Sequence, residues 1–172
     1  ETNRAAHFAG GRLRARLAQA KNEYSVSVWL WNGMPADGRP TAGWMFSRGR
    51  SDSLGAYGDH LGIGGTATQP GKLIFLSGSD RRGEKPTVGR SVIKRWSWNH
   101  LVFVRDGNAV RVYLNGNPEP EIETTTTDSP VLPEFFFGGR CDNESNWEGR
   151  LDEIAVFDRS LPPDEVAKLS VR

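Results

Sequence analysis

Apolar and polar residues alternate with a period of two along several parts of the chain. In the clearest run, Tyr24, Val26, Val28 and Leu30 alternate with two serines and two tryptophans. Because successive side chains of a β-strand point to opposite faces, this run predicts a strand with one apolar and one mixed face. Shorter runs predict further strands at Gly43–Arg48, His60–Ile63, Lys72–Ser77, Glu134–Gly138 and Leu151–Phe157.

Turn-forming pairs organise the middle of the chain. Asp106-Gly107 separates two alternating runs, and Asn115-Gly116 ends the second of them. Both pairs tolerate the positive φ of tight hairpin turns, so residues 99–123 are predicted to form a three-stranded meander. In the run that precedes Asp106, His100 shares a strand face with two valines. We expect it to be a hydrogen-bonded core or interface histidine. Six side chains are predicted to be largely buried between or beneath the sheets: Val26, Val28, Val102, Val104, Val112 and Phe136.

One helix is predicted, near the C-terminus. Pro162–Glu165 supplies a proline-initiated start with acidic residues in the first turn, and Val166 and Leu169 follow as an apolar pair. We expect this short helix to close one end of the fold. The many strands, 20 glycines and 10 prolines favour an all-β sandwich or barrel over alternating βαβ units.

Length and composition limit the classes of protein. The 172 residues suit a single domain. One cysteine excludes an intrachain disulfide, and no segment has the roughly 18 apolar residues of a membrane span. With 22 basic and 21 acidic residues, the net charge of +1 argues against nucleic acid or an anionic membrane as the main partner. The chain opens at Glu1 without an initiator Met, and we expect a piece of a longer protein.

Three stretches in order carry a family resemblance. They are Tyr24–Trp31, then the hairpin Trp98–Gly107 with Val110–Gly116, and finally Phe137–Gly139 with Gly149–Phe157. Together they resemble the laminin-G-like branch of the concanavalin A-like lectin/glucanase superfamily, over about residues 7–169. The resemblance implies a two-sheet antiparallel jelly-roll sandwich with one short C-terminal helix, spanning residues 1–172 as one domain. It also implies an exported protein, extracellular or periplasmic, and we expect the isolated domain to be monomeric.

Catalysis is not predicted. The β-glucan-cleaving members of this superfamily resemble one another in a Glu-x-Asp-x-x-Glu strand, whose two glutamates act together on the glycosidic bond. The nearest match here is Glu153–Asp158, but Ala155 stands at the middle carboxylate position. Asp158 is five residues after Glu153 and points to the opposite strand face. We therefore predict no glycosidase activity.

Calcium is a candidate cofactor. The pair of runs at 58–63 and 71–75 is similar to the laminin-G strands whose first aspartate binds calcium, which here is Asp59. In those domains a second ligand comes from the loop that contains Asp128 in this chain. Backbone carbonyls and water would complete the shell of 6–8 oxygens that calcium prefers. The alternative is that both aspartates are ordinary turn residues.

Six tryptophans are candidates for ligand binding, since an exposed indole offers a flat apolar face and one N–H donor. Most must lie in the core. We predict that Trp147 is exposed and binds ligand, because it follows a polar loop whose Asp142, Asn143 and Asn146 could hydrogen-bond hydroxyl groups. An ordinary structural tryptophan is the alternative.

The leading hypothesis is a non-catalytic module that binds carbohydrate or a protein surface and is appended to an exported protein. The alternative is a structural spacer or interaction domain that packs on its parent protein without a free ligand. A glycoside hydrolase comes third. An exposed tryptophan favours recognition, whereas a large apolar patch on one sheet face favours packing.

Overall fold

The computed structural model of this protein describes residues 4–17, 21–51, 57–78, 83–127 and 132–171. Within these ranges the chain forms twelve strands and one helix. They are β1 (Ala6–Ala9), β2 (Leu13–Arg16), β3 (Glu23–Asn32), β4 (Thr41–Gly49), β5 (Gly58–Gly64), β6 (Lys72–Gly78), β7 (Thr87–Val92), β8 (Trp98–Asp106), β9 (Ala109–Leu114), β10 (Ile122–Thr125), β11 (Glu134–Phe137), β12 (Glu148–Phe157) and α1 (Pro163–Leu169).

The strands form two six-stranded antiparallel sheets. The first sheet has the order β1-β12-β3-β8-β9-β10, and the second has the order β2-β11-β4-β5-β6-β7. The predicted jelly-roll sandwich is confirmed, and so is the meander, because β8, β9 and β10 are neighbours in chain order. The alternating runs did not predict β1, which is an edge strand of the first sheet. They also did not predict β2 and β7. Both are edge strands of the second sheet, where partial burial leaves the alternation of apolar and polar residues weak.

The main core lies between the sheets. Strand β3 contributes Tyr24, Val26, Val28 and Leu30, and the facing strands contribute a cluster of aromatic rings. The six side chains predicted to be buried are all buried. They do not share one core, because Phe136 packs with Cys141 in a small separate cluster.

A second core lies on the outer face of the first sheet. Val102 and Val104 pack there against Leu161 and against Val166 of α1. The helix therefore covers part of a sheet face. The prediction that it closes one end of the sandwich is wrong. No helix in the described ranges has the length and apolar character required to cross a bilayer.

Candidate functional site

Partly exposed tryptophans lie on the outer face of the first sheet. In β3, Trp29 and Trp31 alternate with the core residues and so point away from the core. Antiparallel pairing places Trp98 opposite Trp31 and His100 opposite Trp29. On β8, the outward residues that pack against the α1 region are Val102 and Val104, which lie beyond His100. We call Trp29, Trp31 and Trp98 the tryptophan platform.

Charged side chains border the platform. On β12, Arg150 pairs with Trp31 and Asp152 pairs with Trp29, so both point to the same sheet face as the rings. The guanidinium carbon of Arg150 lies 5.5 Å from the Trp31 ring centroid. On the next strand His7 pairs with Arg150. The surface thus combines flat apolar rings with hydrogen-bond donors and acceptors beside them.

His100 lies beside Trp29 on the same sheet face. Its side chain is buried, and its ring centroid lies 5.0 Å from that of Trp29. Its Nε2 lies 2.8 Å from the Ser27 hydroxyl, which gives this buried polar ring a hydrogen bond. The predicted burial of His100 is confirmed, and its ring packs against that of Trp29.

The loop predicted to bind ligand lies on the opposite side of the sandwich. The Trp44 backbone N–H on β4 donates to the Ser145 carbonyl at 2.9 Å. The Arg140 guanidinium carbon lies 5.6 Å from the Trp44 ring centroid. The loop therefore covers the outer face of the second sheet and does not reach the tryptophan platform.

Most polar groups of this loop bond within the protein. Arg140 donates to the two carboxylate oxygens of Asp142 at 2.9 and 3.0 Å. The side-chain amide of Asn146 donates to the Gly10 carbonyl at 2.6 Å and to Asn143 Oδ1 at 3.0 Å. Of the three predicted polar ligands, Asn143 is exposed, Asp142 is partly buried and Asn146 is buried. The structure brings them together as a loop scaffold.

Asp142 is held ionised by this arrangement. Burial alone would raise the pKa of the Asp142 carboxyl, but the hydrogen bonds and charge of Arg140 outweigh burial and lower the pKa below its ordinary value. Both side chains are largely buried, at 6% and 9% exposure. The pair thus neutralises two charges that would otherwise be desolvated.

The prediction that Trp147 is exposed is wrong. Its side chain has no exposed area and belongs to the main core between the sheets. A side chain at Gly43 would meet the Cα and Cε3 atoms of Trp147 at 3.2 Å, so the glycine lets the ring lie directly on β4. Trp147 directly precedes β12, which starts at Glu148, and its large apolar ring packs into the core there. A buried indole offers no face to a sugar.

The tryptophan platform was missed because the sequence prediction emphasised the polar loop. A usable signal was present: Trp29 and Trp31 fall on the mixed face of a strand whose other face is fully apolar. If the apolar face makes the core, the tryptophans must lie outside it. Which of them stays uncovered depends on where α1 packs.

Asp59 lies in a fully formed buried network. Its carboxylate accepts hydrogen bonds from the Tyr24 hydroxyl at 2.7 Å, from Arg105 Nη1 at 2.5 Å and from the Ser77 hydroxyl at 3.3 Å. Asp128, the other predicted calcium ligand, lies outside the described residues. The described ranges hold no group of three or more histidine, cysteine or acidic side chains that could hold a metal. The surroundings of Asp59 do not fit calcium, because hydrogen-bond donors already occupy both of its carboxylate oxygens. The calcium site that would combine Asp59 with Asp128 stays a prediction.

The chain belongs to the concanavalin A-like lectin/glucanases superfamily, since the Laminin_G_3 family model of that superfamily matches residues 9–167. A comparison with curated proteins found no significant match.

Solved structures share the fold. One is domain 4 of AbnA, an extracellular GH43 arabinanase from Geobacillus stearothermophilus, in complex with arabinotriose. It is 24% identical in sequence, the match covers 97% of this chain and 76% of that chain, and the TM-score is 0.69. A heptameric SAP-like pentraxin from Limulus polyphemus is 19% identical over 96% and 80% of the chains, with a TM-score of 0.69. The CBM40 of the Ruminococcus gnavus IT-sialidase, bound to α2,3-sialyllactose, is 12% identical over 89% and 85%, with a TM-score of 0.64.

Proposed function

We propose that this domain is a non-catalytic module that binds carbohydrate through the tryptophan platform. The observation that carries the proposal is the set of three half-buried indoles on an open sheet face, bordered by Arg150 and Asp152. Sugar rings have apolar C–H faces that pack on indoles and hydroxyl edges that bond to charged groups. A buried protein–protein contact would leave these charges without water.

The solved structures add support. The arabinanase domain is described in complex with arabinotriose, and the sialidase module with α2,3-sialyllactose. The arabinanase is described as extracellular, which supports our further proposal that this domain is appended to an exported protein.

The segment that resembles the catalytic strand supports a non-catalytic role. Glu153 lies at an irregularity of β12 with a positive φ of 48°, and Ala155 faces Ser27 on the sheet surface. Asp158 follows the end of the strand. This segment does not present two carboxylates on one strand face, which a glycosidase of this type requires.

The test is a glycan-array screen with and without calcium, followed by calorimetric titration with the glycans that bind and with arabinotriose and α2,3-sialyllactose. We expect the wild type to bind at least one glycan. Trp31→Ala should weaken that binding about fivefold or more, since stacking on one aromatic ring contributes about 1 kcal/mol or more. Leu13→Ala is the matched control, because Leu13 is also an exposed apolar residue but lies on the second sheet.

Two outcomes would contradict the proposal. One is glycan binding that Trp31→Ala leaves unchanged, which would place the site elsewhere. The other is no binding to any glycan together with a stable complex with the remainder of the parent protein. That second result would favour the spacer function, in which the platform packs on a protein surface.

A further inference from the structure

Trp96 combines two unusual properties. It is 65% exposed, the highest exposure of any tryptophan in the described ranges. Its backbone has a φ of 61°, in the left-handed region that is costly for a bulky side chain. A residue with a purely structural role in this turn would be glycine or asparagine, which adopt that conformation more easily. Backbone strain of this kind is concentrated at functional sites.

The turn around Trp96 is held firmly by its neighbours. The Trp96 backbone N–H donates to the Asn32 carbonyl at 2.9 Å. Arg95 donates to the Gly33 carbonyl at 2.9 Å, and its guanidinium carbon lies 4.4 Å from the Trp96 ring centroid. Ile93 anchors the preceding residues in the core. The exposed indole is thus positioned in advance by backbone bonds and by a stacked cation.

Trp96 lies in a turn at one end of the platform. Trp29 pairs with His100 and Trp31 pairs with Trp98. The strand pairing ends at that second pair, and the Trp96 N–H bonds to the carbonyl of Asn32, the residue after Trp31, so the turn of Trp96 lies next to this end of the platform. Trp29 and Trp31 are two residues apart on β3, or about 7 Å, and Trp96 follows beyond the Trp31 end.

We infer that Trp96 forms an outer subsite of the tryptophan platform, and that the ligand is an extended glycan chain bound along the strands and not a single terminal sugar. This inference rests on the proposed function. The platform already extends about 7 Å along β3 from Trp29 to Trp31, and Trp96 lies beyond that end, so a ligand that contacts both needs more than one sugar ring. Residues of the α1 region cover the face beyond Trp29 and His100, so a longer chain extends past the Trp31 end, toward Trp96.

The test is a titration series with oligosaccharides of increasing length, from disaccharide to hexasaccharide, of the glycan that the array identifies. For the wild type, affinity should rise with length until Trp96 is reached. Trp96→Ala should remove that rise, with about a tenfold loss for the longest chain and no change for the disaccharide. Trp96→Tyr should keep most of the rise because it retains an aromatic face. Val92→Ala is the control, since Val92 is 60% exposed nearby but belongs to the second sheet.

The two proposals fail in different ways. If Trp31→Ala abolishes binding but Trp96→Ala does not affect any chain length, the outer subsite is disproved and the platform stands. If neither variant affects binding, the proposed function fails. Thermal unfolding of each variant provides the folding control, and Trp96→Ala should be at least as stable as Trp96→Tyr because a smaller side chain adopts the left-handed backbone with less strain.

Discussion

Arg105 Nη1 lies 2.5 Å from Asp59 Oδ1, and both side chains are fully buried at 0% and 1% exposure. They come from strands of opposite sheets, so the ion pair joins the two layers of the sandwich. The Tyr24 hydroxyl and the Thr126 hydroxyl bond to the same pair. The network therefore satisfies two charges at the rim of the core, where burial without partners would be costly.

Breaking this pair should destabilise the domain strongly. Arg105→Met leaves the Asp59 carboxylate buried without its counter-charge, and we expect a loss of about 3–5 kcal/mol in unfolding free energy. The double variant Asp59→Asn with Arg105→Met should recover part of the loss. Urea unfolding measures both. Arg111→Ala is the control: its ion pair with Glu123 is exposed and should contribute less than about 1 kcal/mol. If Arg105→Met and Arg111→Ala lost the same unfolding free energy, the stabilising role of the buried Arg105–Asp59 pair would be refuted.

Calcium should not raise the stability of the wild type. The Asp59 oxygens already accept three hydrogen bonds, so a cation would have to displace Arg105. We expect the Tm to be unchanged between EDTA and millimolar calcium. A ligand that prefers the folded state must raise its stability. A Tm that increases with calcium, and loses that increase in Asp128→Asn, would establish the site that the family resemblance implied.

Asp142 should make stability depend on acidic pH. Burial raises the pKa of the Asp142 carboxyl in the folded state, but the hydrogen bonds and charge of Arg140 outweigh burial, so the pKa is lowered. The stabilising contribution is therefore full above the unfolded Asp pKa of about 3.9 and is lost as the pH falls through the folded pKa. Asp142→Asn should show a shallower decrease of unfolding free energy below about pH 4. Asp37→Asn, in an exposed turn, is the control and should follow the wild-type curve.

Trp147 should matter for stability and not for binding. Trp147→Ala removes a fully buried ring and should cost about 3–5 kcal/mol. Trp147→Phe should cost less, because it also removes an indole N–H that has no hydrogen-bond partner within the described structure. Denaturant unfolding gives the cost, and titration of the phenylalanine variant with an array-identified glycan should give the wild-type affinity. Weaker binding by a folded Trp147→Phe protein would return the site to the 140–147 loop.

The sequence by itself determined most of the strands, the hairpin turns of the meander and the apolar face of the clearest strands. The run from Tyr24 to Trp31 shows why: alternation is a local property, and burial of one sheet face requires it. The meander could be predicted for the same reason, since Asp106-Gly107 and Asn115-Gly116 close hairpins between neighbouring strands.

Only the tertiary structure decided which surface stays open and which carboxylates are already paired. Trp147 enters the core, whereas Trp31 remains partly exposed on the outer face of the first sheet, where α1 packs farther along the strands. Asp59 and Arg105 are 46 residues apart, and no local pattern connects them. Such contacts arise from the order of strands in two sheets, and the free energy of each depends on neighbours that are distant in sequence.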